Sequence, residues 1–96
     1  MKFEWDENKN RINLQKHGID FSDAVKIFDG PALIYPDNRI DYGEDRYIGI
    51  GFILNLVALV VFVEINDNDV IRIISARKAN RHESKKFKKA IKNRLG

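Results

Sequence analysis

Ninety-six residues, 44% hydrophobic and 32% charged with a net charge of +3, have the size and composition of one small packed domain over residues 1–96. The lack of cysteine excludes disulfides, zinc–thiolate centres and thiol nucleophiles. No leader peptide is expected, because Met1–Trp5 runs directly into charged residues, and a cytoplasmic setting is the expectation.

Lys2–Trp5 predicts a short strand with Phe3 and Trp5 in alternation. Asp6 suits the N-cap of a surface helix through about Lys16, and His17-Gly18 suits its end. Phe21, Ala24, Val25 and Phe28 stand at i, i+3, i+4 and i+7, the apolar stripe of a second helix. Asp20 or Ser22 can cap it, and Asp29-Gly30-Pro31 stops it. Ala32–Tyr35 predicts a strand, and Pro36–Asp45 a polar loop. Arg46–Gly51, Val57–Ile65 and Val70–Ala76 predict three consecutive strands, the last two joined by the turn residues 66–69. The apolar run Ile48–Val63 is shorter than the roughly 20 residues that span a bilayer. Its many β-branched residues indicate two buried strands instead, so no membrane partner is expected. Asn80 and Glu83 form a capping box for a last helix, with Phe87, Ala90, Ile91 and Leu95 on one stripe. The expected order is β-α-α-β-β-β-β-α, an α+β fold with a mostly antiparallel sheet.

The charge is unevenly distributed. Residues 1–71 carry 7 Lys/Arg against 13 Asp/Glu, a balance of −6. Residues 72–96 carry 10 Lys/Arg against Glu83 alone, a balance of +9. An acidic body with a basic end fits a polyanion partner, whereas a lysine-rich helix can also simply be solvated. No metal or cofactor is expected: His17 and His82 lie outside any ligand spacing, and no phosphate-cradling glycine motif is present.

The densest chemistry lies in Arg72–Glu83. Arg77 and Lys78 stand where a strand ends, and Arg81 and His82 where a helix begins, which makes the junction a candidate anion site. RNA carries its own nucleophile, the 2′-OH, so a nuclease acting on it requires cations and proton-transfer groups rather than a metal. Arg72, Arg77 and His82 are the candidate catalytic residues, with the His82 imidazole able to exchange a proton near neutral pH. Lys78, Arg81 and Lys85 are candidate RNA contacts. Structural alternatives stand beside these: a solvated His82, Glu83 as a cap only, and Arg72 as a cross-strand partner of Glu64.

Three stretches, in order, resemble the BrnT toxins. They are Phe3-x-Trp5-Asp6-x-x-Lys9-x-x-x-Asn13-x-x-Lys16-His17-Gly18-Ile19-x-Phe21-x-x-Ala24, then Gly43–Gly51, then Ile71–Ala79 with Asn80 and Glu83. The resemblance implies a small RelE-like fold and a ribonuclease toxin of a type II toxin–antitoxin system that stops translation by cutting RNA. It also implies a BrnA-like antitoxin partner, through which alone DNA is contacted. Arg46, Arg72 and Arg77 match the family pattern, whereas His82 is not characteristic of it; Arg46 is a further candidate RNA contact that flanks the same surface or, alternatively, pairs with a neighbouring acid. Phe87 replaces a frequent tyrosine, and the turn at Phe52–Leu56 is unusually apolar. The opening motif reads as architectural, with Asn13 and His17 needing partners if buried. The alternative to a ribonuclease is a non-catalytic nucleic-acid-binding module that uses the basic last helix.

Overall fold

The computed structural model describes residues 1–67 and 69–95, the last of these by its backbone alone. Leu95, expected on the apolar stripe, and Asn68, expected in the turn, therefore fall outside the described side chains. Strand β1 (Lys2–Glu4) is followed by α1 (Glu7–His17), α2 (Phe21–Ala24) and a 3₁₀ turn (Val25–Asp29). Strands β2 (Ala32–Pro36), β3 (Arg46–Ile53), β4 (Leu56–Ile65) and β5 (Val70–Lys78) then lead to α3 (Arg81–Leu95). They form one five-stranded mixed sheet in the order β1-β5-β4-β3-β2. Among the described residues only the β1–β5 pair is parallel.

Local signals set the helix ends. The Asp6 carboxylate accepts from the Asn8 and Lys9 N–H groups, and Gly18 closes α1 at φ 75°, where a side chain would be strained. Asn80 and Glu83 form the reciprocal capping box of α3 at 2.9 and 2.8 Å. The expected second helix is a single α-turn that tightens into 3₁₀. Gly30-Pro31 follows at once, so the final turn shortens its hydrogen bonds rather than continuing.

The two faces of the sheet hold separate cores. One face carries Phe21, Ala24, Ile27, Phe62, Ile71 and Ile73, with Phe3 against Phe28 and Trp5 against Phe21 at its margin. Gly49 and Gly51 of β3 face this side and admit the 3₁₀ turn. A β-carbon at Gly49 would stand 2.9 Å from Ile27 Cδ1, and one at Gly51 3.0 Å from Ile27 Cβ. The other face carries Ile48, Ile50, Leu59 and Val61, covered over β2 and β3 by Phe87 of α3. Phe87 also meets Phe52 edge-on at 5.1 Å. At the adjoining turn, Leu54 is 78% exposed at φ 55°.

Helix α1 docks by polar side chains. Its apolar residues Ile12 and Leu14 are exposed, while Asn10 and Asn13 are buried. Beyond β1 the outer edge of β5 is open, and Asn13 fills the place of a neighbouring strand there. Its Nδ2 donates to the Ala76 carbonyl at 2.9 Å, and its Oδ1 accepts from the Ala76 N–H at 3.1 Å. Nδ2 also donates to the Ile19 carbonyl at 3.0 Å. Asn10 accepts from the Phe21 N–H at 2.8 Å, which fixes the start of α2.

Candidate functional site

Because α3 covers only the β2–β3 side of its face, Leu59 and Val61 remain as the floor of a solvent-open hollow of about 320 Å³. Ser75 and Arg77 of β5 form one wall, opposite Val61 and Leu59 in register. Lys16 and His17, at the end of α1, form a second wall, and Arg39 enters from the β2–β3 loop. A bulge makes this wall. Val61 pairs with Ser75 but Phe62 with Ile73, so Ile74 is the extra residue.

Each arginine is held by its own carboxylate. Arg77 Nη1 and Nη2 each donate to Glu83 at 2.8 Å, and Nη1 also donates to the Lys78 carbonyl at 3.2 Å. Among the described residues this leaves the Nε–H and one Nη2–H of Arg77 without an acceptor, the side-on edge of its fork. Arg39 is gripped the other way round. Its Nε and Nη2 donate to Asp37 at 2.8 Å each, which among the described residues leaves both N–H groups of Nη1 and one of Nη2 without an acceptor. Asp37 is buried, and the Arg39 guanidinium holds its carboxyl down at about 2 despite that burial. Arg77 holds the Glu83 carboxyl below its ordinary range in the same manner. Glu83 in turn raises Arg77, against opposition from burial and from the charge of Arg39. Tyr35 lies in the same field, its phenol raised by burial and then by Glu83.

The structure brings few of the expected site residues here. Arg77 is in the hollow, and Lys78 contributes its carbonyl while its side chain is exposed. Arg72 lines a separate hollow and pairs with Glu4 at 3.1 Å, not with Glu64. Glu64 stands opposite Ile71 and Arg72 opposite Val63, which puts the two side chains on opposite faces. Arg46 pairs with Glu44 at 3.0 Å and lies 4.0 Å over the Tyr42 ring, beside a third hollow. Arg81, His82 and Lys85 are exposed on the first turns of α3 and do not line the Arg77 hollow. Glu83 is more than the cap expected of it, because one carboxylate both closes the helix and orients Arg77.

Sequence reasoning passed over Arg39, Lys16, His17 and Ser75. Arg39 stands among acids in a polar loop, and only the Asp37-x-Arg39 spacing signals it. Ser75 was visible as the neighbour of the Ala76-Arg77 motif, and His17 only as a helix end.

The fold is a mixed-sheet α+β domain with a hollow rimmed by carboxylate-oriented guanidinium forks, a donor geometry that suits anions such as a phosphodiester. The model for the ribonuclease toxin BrnT of type II toxin–antitoxin systems matches residues 5–83. The chain belongs to this family of ribonuclease toxins. The crystal structure of the Brucella abortus ribonuclease toxin BrnT is similar at a TM-score of 0.69 and 31% identity. The match covers 84% of this chain and 99% of that one. No curated protein sequence matches the chain.

Proposed function

We propose that residues 1–96 act as one RelE-like toxin domain, a metal-independent endoribonuclease that stops translation by cutting RNA in the cytoplasm. A BrnA-like antitoxin neutralises it and supplies the only contact with DNA. The reading is carried by one observation: two guanidinium groups, each forked to its own carboxylate, line one hollow.

The geometry suits transesterification. The 2′-oxygen forms a bond to the adjacent phosphorus, and the bond from phosphorus to the 5′-oxygen breaks. The products are a 2′,3′-cyclic phosphate and a 5′-hydroxyl. Arg77 and Arg39 stabilise the charge that grows on the non-bridging oxygens, an effect worth about 3 kcal/mol per well-placed donor by analogy with oxyanion holes. His17 replaces His82 as the imidazole of the site. It takes the 2′-OH proton or returns one to the leaving oxygen. Lys16 adds a cation at the rim.

Incubation of labelled RNA with purified protein in excess chelator tests this. Cleavage to cyclic-phosphate ends is expected to persist, and Arg77→Ala is expected to lower it about 100-fold or more. Growth arrest on expression without antitoxin is expected to weaken in parallel. Undiminished cleavage by Arg77→Ala would remove the site assignment, and RNA binding without any cleavage would support the non-catalytic module instead.

A further inference from the structure

The Arg77 hollow does not stand alone. It shares Lys16, His17 and Ser75 with a second hollow of about 220 Å³, which extends to Lys9. Lys9 is shared in turn with a third, of about 300 Å³, bounded by Arg72 and Trp5. The three follow the seam where α1 lies along the open edge of β5. From Arg72, the last residue paired with β1, to Arg77 is five residues along β5, roughly 16 Å at strand rise.

We propose that this seam is a track for single-stranded RNA, leading from the cleavage site past Lys9 to a terminal subsite at Arg72 and Trp5. The proposal rests on the ribonuclease reading and adds where the rest of the strand lies. Cations occur along the whole route, from Arg39 and Arg77 through Lys16 and Lys9 to Arg72. The acids at the far end are already engaged, Glu7 by the Trp5 indole N–H at 2.7 Å. Asp6 caps α1, and Glu4 pairs with Arg72. Trp5 supplies an indole there for a base to stack on. A row of adjoining hollows, each with cations and the last with an aromatic group, matches the charged, stacking groove that single strands use. The lysines of α3 line none of the three hollows and supply a diffuse field instead.

Fluorescence anisotropy with labelled 2′-O-methyl oligouridines, which cannot be cleaved by the 2′-oxygen, tests the track. Affinity is expected to rise with length from a dinucleotide to an oligomer long enough to fill the seam. Lys9→Gln, a conservative change on an exposed helical position, is expected to weaken the long oligomer about threefold or more. It should lower the salt slope by about one and leave the dinucleotide unchanged. Glu4→Gln, which frees Arg72, is expected to strengthen the long oligomer. Lys88→Gln on α3 is expected to leave the length dependence intact. Equal affinity for short and long oligomers, or no effect of Lys9→Gln, overturns the track while leaving the ribonuclease reading in place. Equal binding of polyglutamate identifies the seam as an acidic-peptide groove and overturns it as an RNA track. Failure of the wild-type protein to bind or cleave any RNA overturns both.

Discussion

Replacing Asn13 by alanine tests whether one amide joins α1 to the sheet. The substitution leaves two carbonyls, of Ile19 and Ala76, and the Ala76 N–H without their partners. Ala76 is fully buried and Ile19 is 6% exposed. A buried polar group without a partner costs about 1–3 kcal/mol. Asn13 borders a solvent-open hollow through which water can reach some of the three, so the lower bound applies to each. The expected loss is about 3 kcal/mol, a large share of the roughly 5–15 kcal/mol typical of a domain. For a chain of this length it corresponds to a fall in Tm of about 12–24 °C. Asn13→Asp has nearly the same shape but faces both carbonyls with acceptors, so it should cost more than alanine near neutral pH. Urea denaturation at constant m measures all three proteins. A loss under about 1 kcal/mol for Asn13→Ala, with aspartate tolerated equally, would refute the account of how α1 is held.

Three further outcomes follow from the packing and the site. The Asp37 carboxyl sits at about 2, below its ordinary 3.8, so its contribution to stability is complete above the ordinary value. That contribution is lost as pH falls from about 4 through 2. Asp37→Asn should flatten this limb of a Tm–pH curve, and superposable acid limbs would contradict it. His17→Ala should reduce RNA cleavage by about 100-fold while His82→Ala stays within about twofold, as read from initial rates. Equal losses would show that neither imidazole is placed as argued. Gly51→Ala should destabilise by about 1–3 kcal/mol and by more than Gly49→Ala. The reason is that Gly51 meets the fixed Cβ of Ile27 at 3.0 Å, whereas the tightest contact at Gly49 is the movable Ile27 Cδ1 at 2.9 Å, with Phe62 Cε1 next at 3.2 Å. Thermal melts of the two variants give the order.

Features decided within a few residues could be read from the sequence. Asp6, Gly18 and the Asn80–Glu83 box act on their own helix ends, and Phe21, Ala24 and Ile71 carry the apolar periodicity that buries them. Pairings across the chain could not. Asn13 meets Ala76, 63 residues away, through a position left vacant because β1 is only three residues long. The extra residue Ile74 breaks the alternation of β5, so simple alternation does not place Ser75 and Arg77. At the start of α3 the capping box turns Glu83 inward. Its neighbour His82 is one residue, about 100°, around the helix and is left in solvent. Arg39 lines the same hollow as Arg77 only because the sheet order sets the loop after β2 across the same face from β5.

The site draws on both halves of the uneven charge. Arg39 and Lys16 belong to the acidic portion, and Arg77 alone of the four arginine and lysine residues from 72 to 78 and 81 lines the hollow. What distinguishes Arg39 and Arg77 from the lysines of α3 is a carboxylate partner. A free surface arginine loses about 0.5–1.5 kcal/mol of side-chain freedom when it is immobilised on a ligand. A forked one is already ordered, although its partner offsets part of its attraction for an anion. The two effects have opposite consequences for Glu83→Gln. The glutamine oxygen still accepts from the Asn80 N–H, so the helix cap remains, but the charged fork to Arg77 is lost. If orientation dominates, kcat should fall with KM little changed, since the aligned N–H groups act chiefly on charge that develops in the transition state. If neutralisation dominates, binding should tighten and cleavage accelerate. Steady-state cleavage of a labelled RNA separates the two, and a faster Glu83→Gln variant would refute the positioning role assigned to that carboxylate.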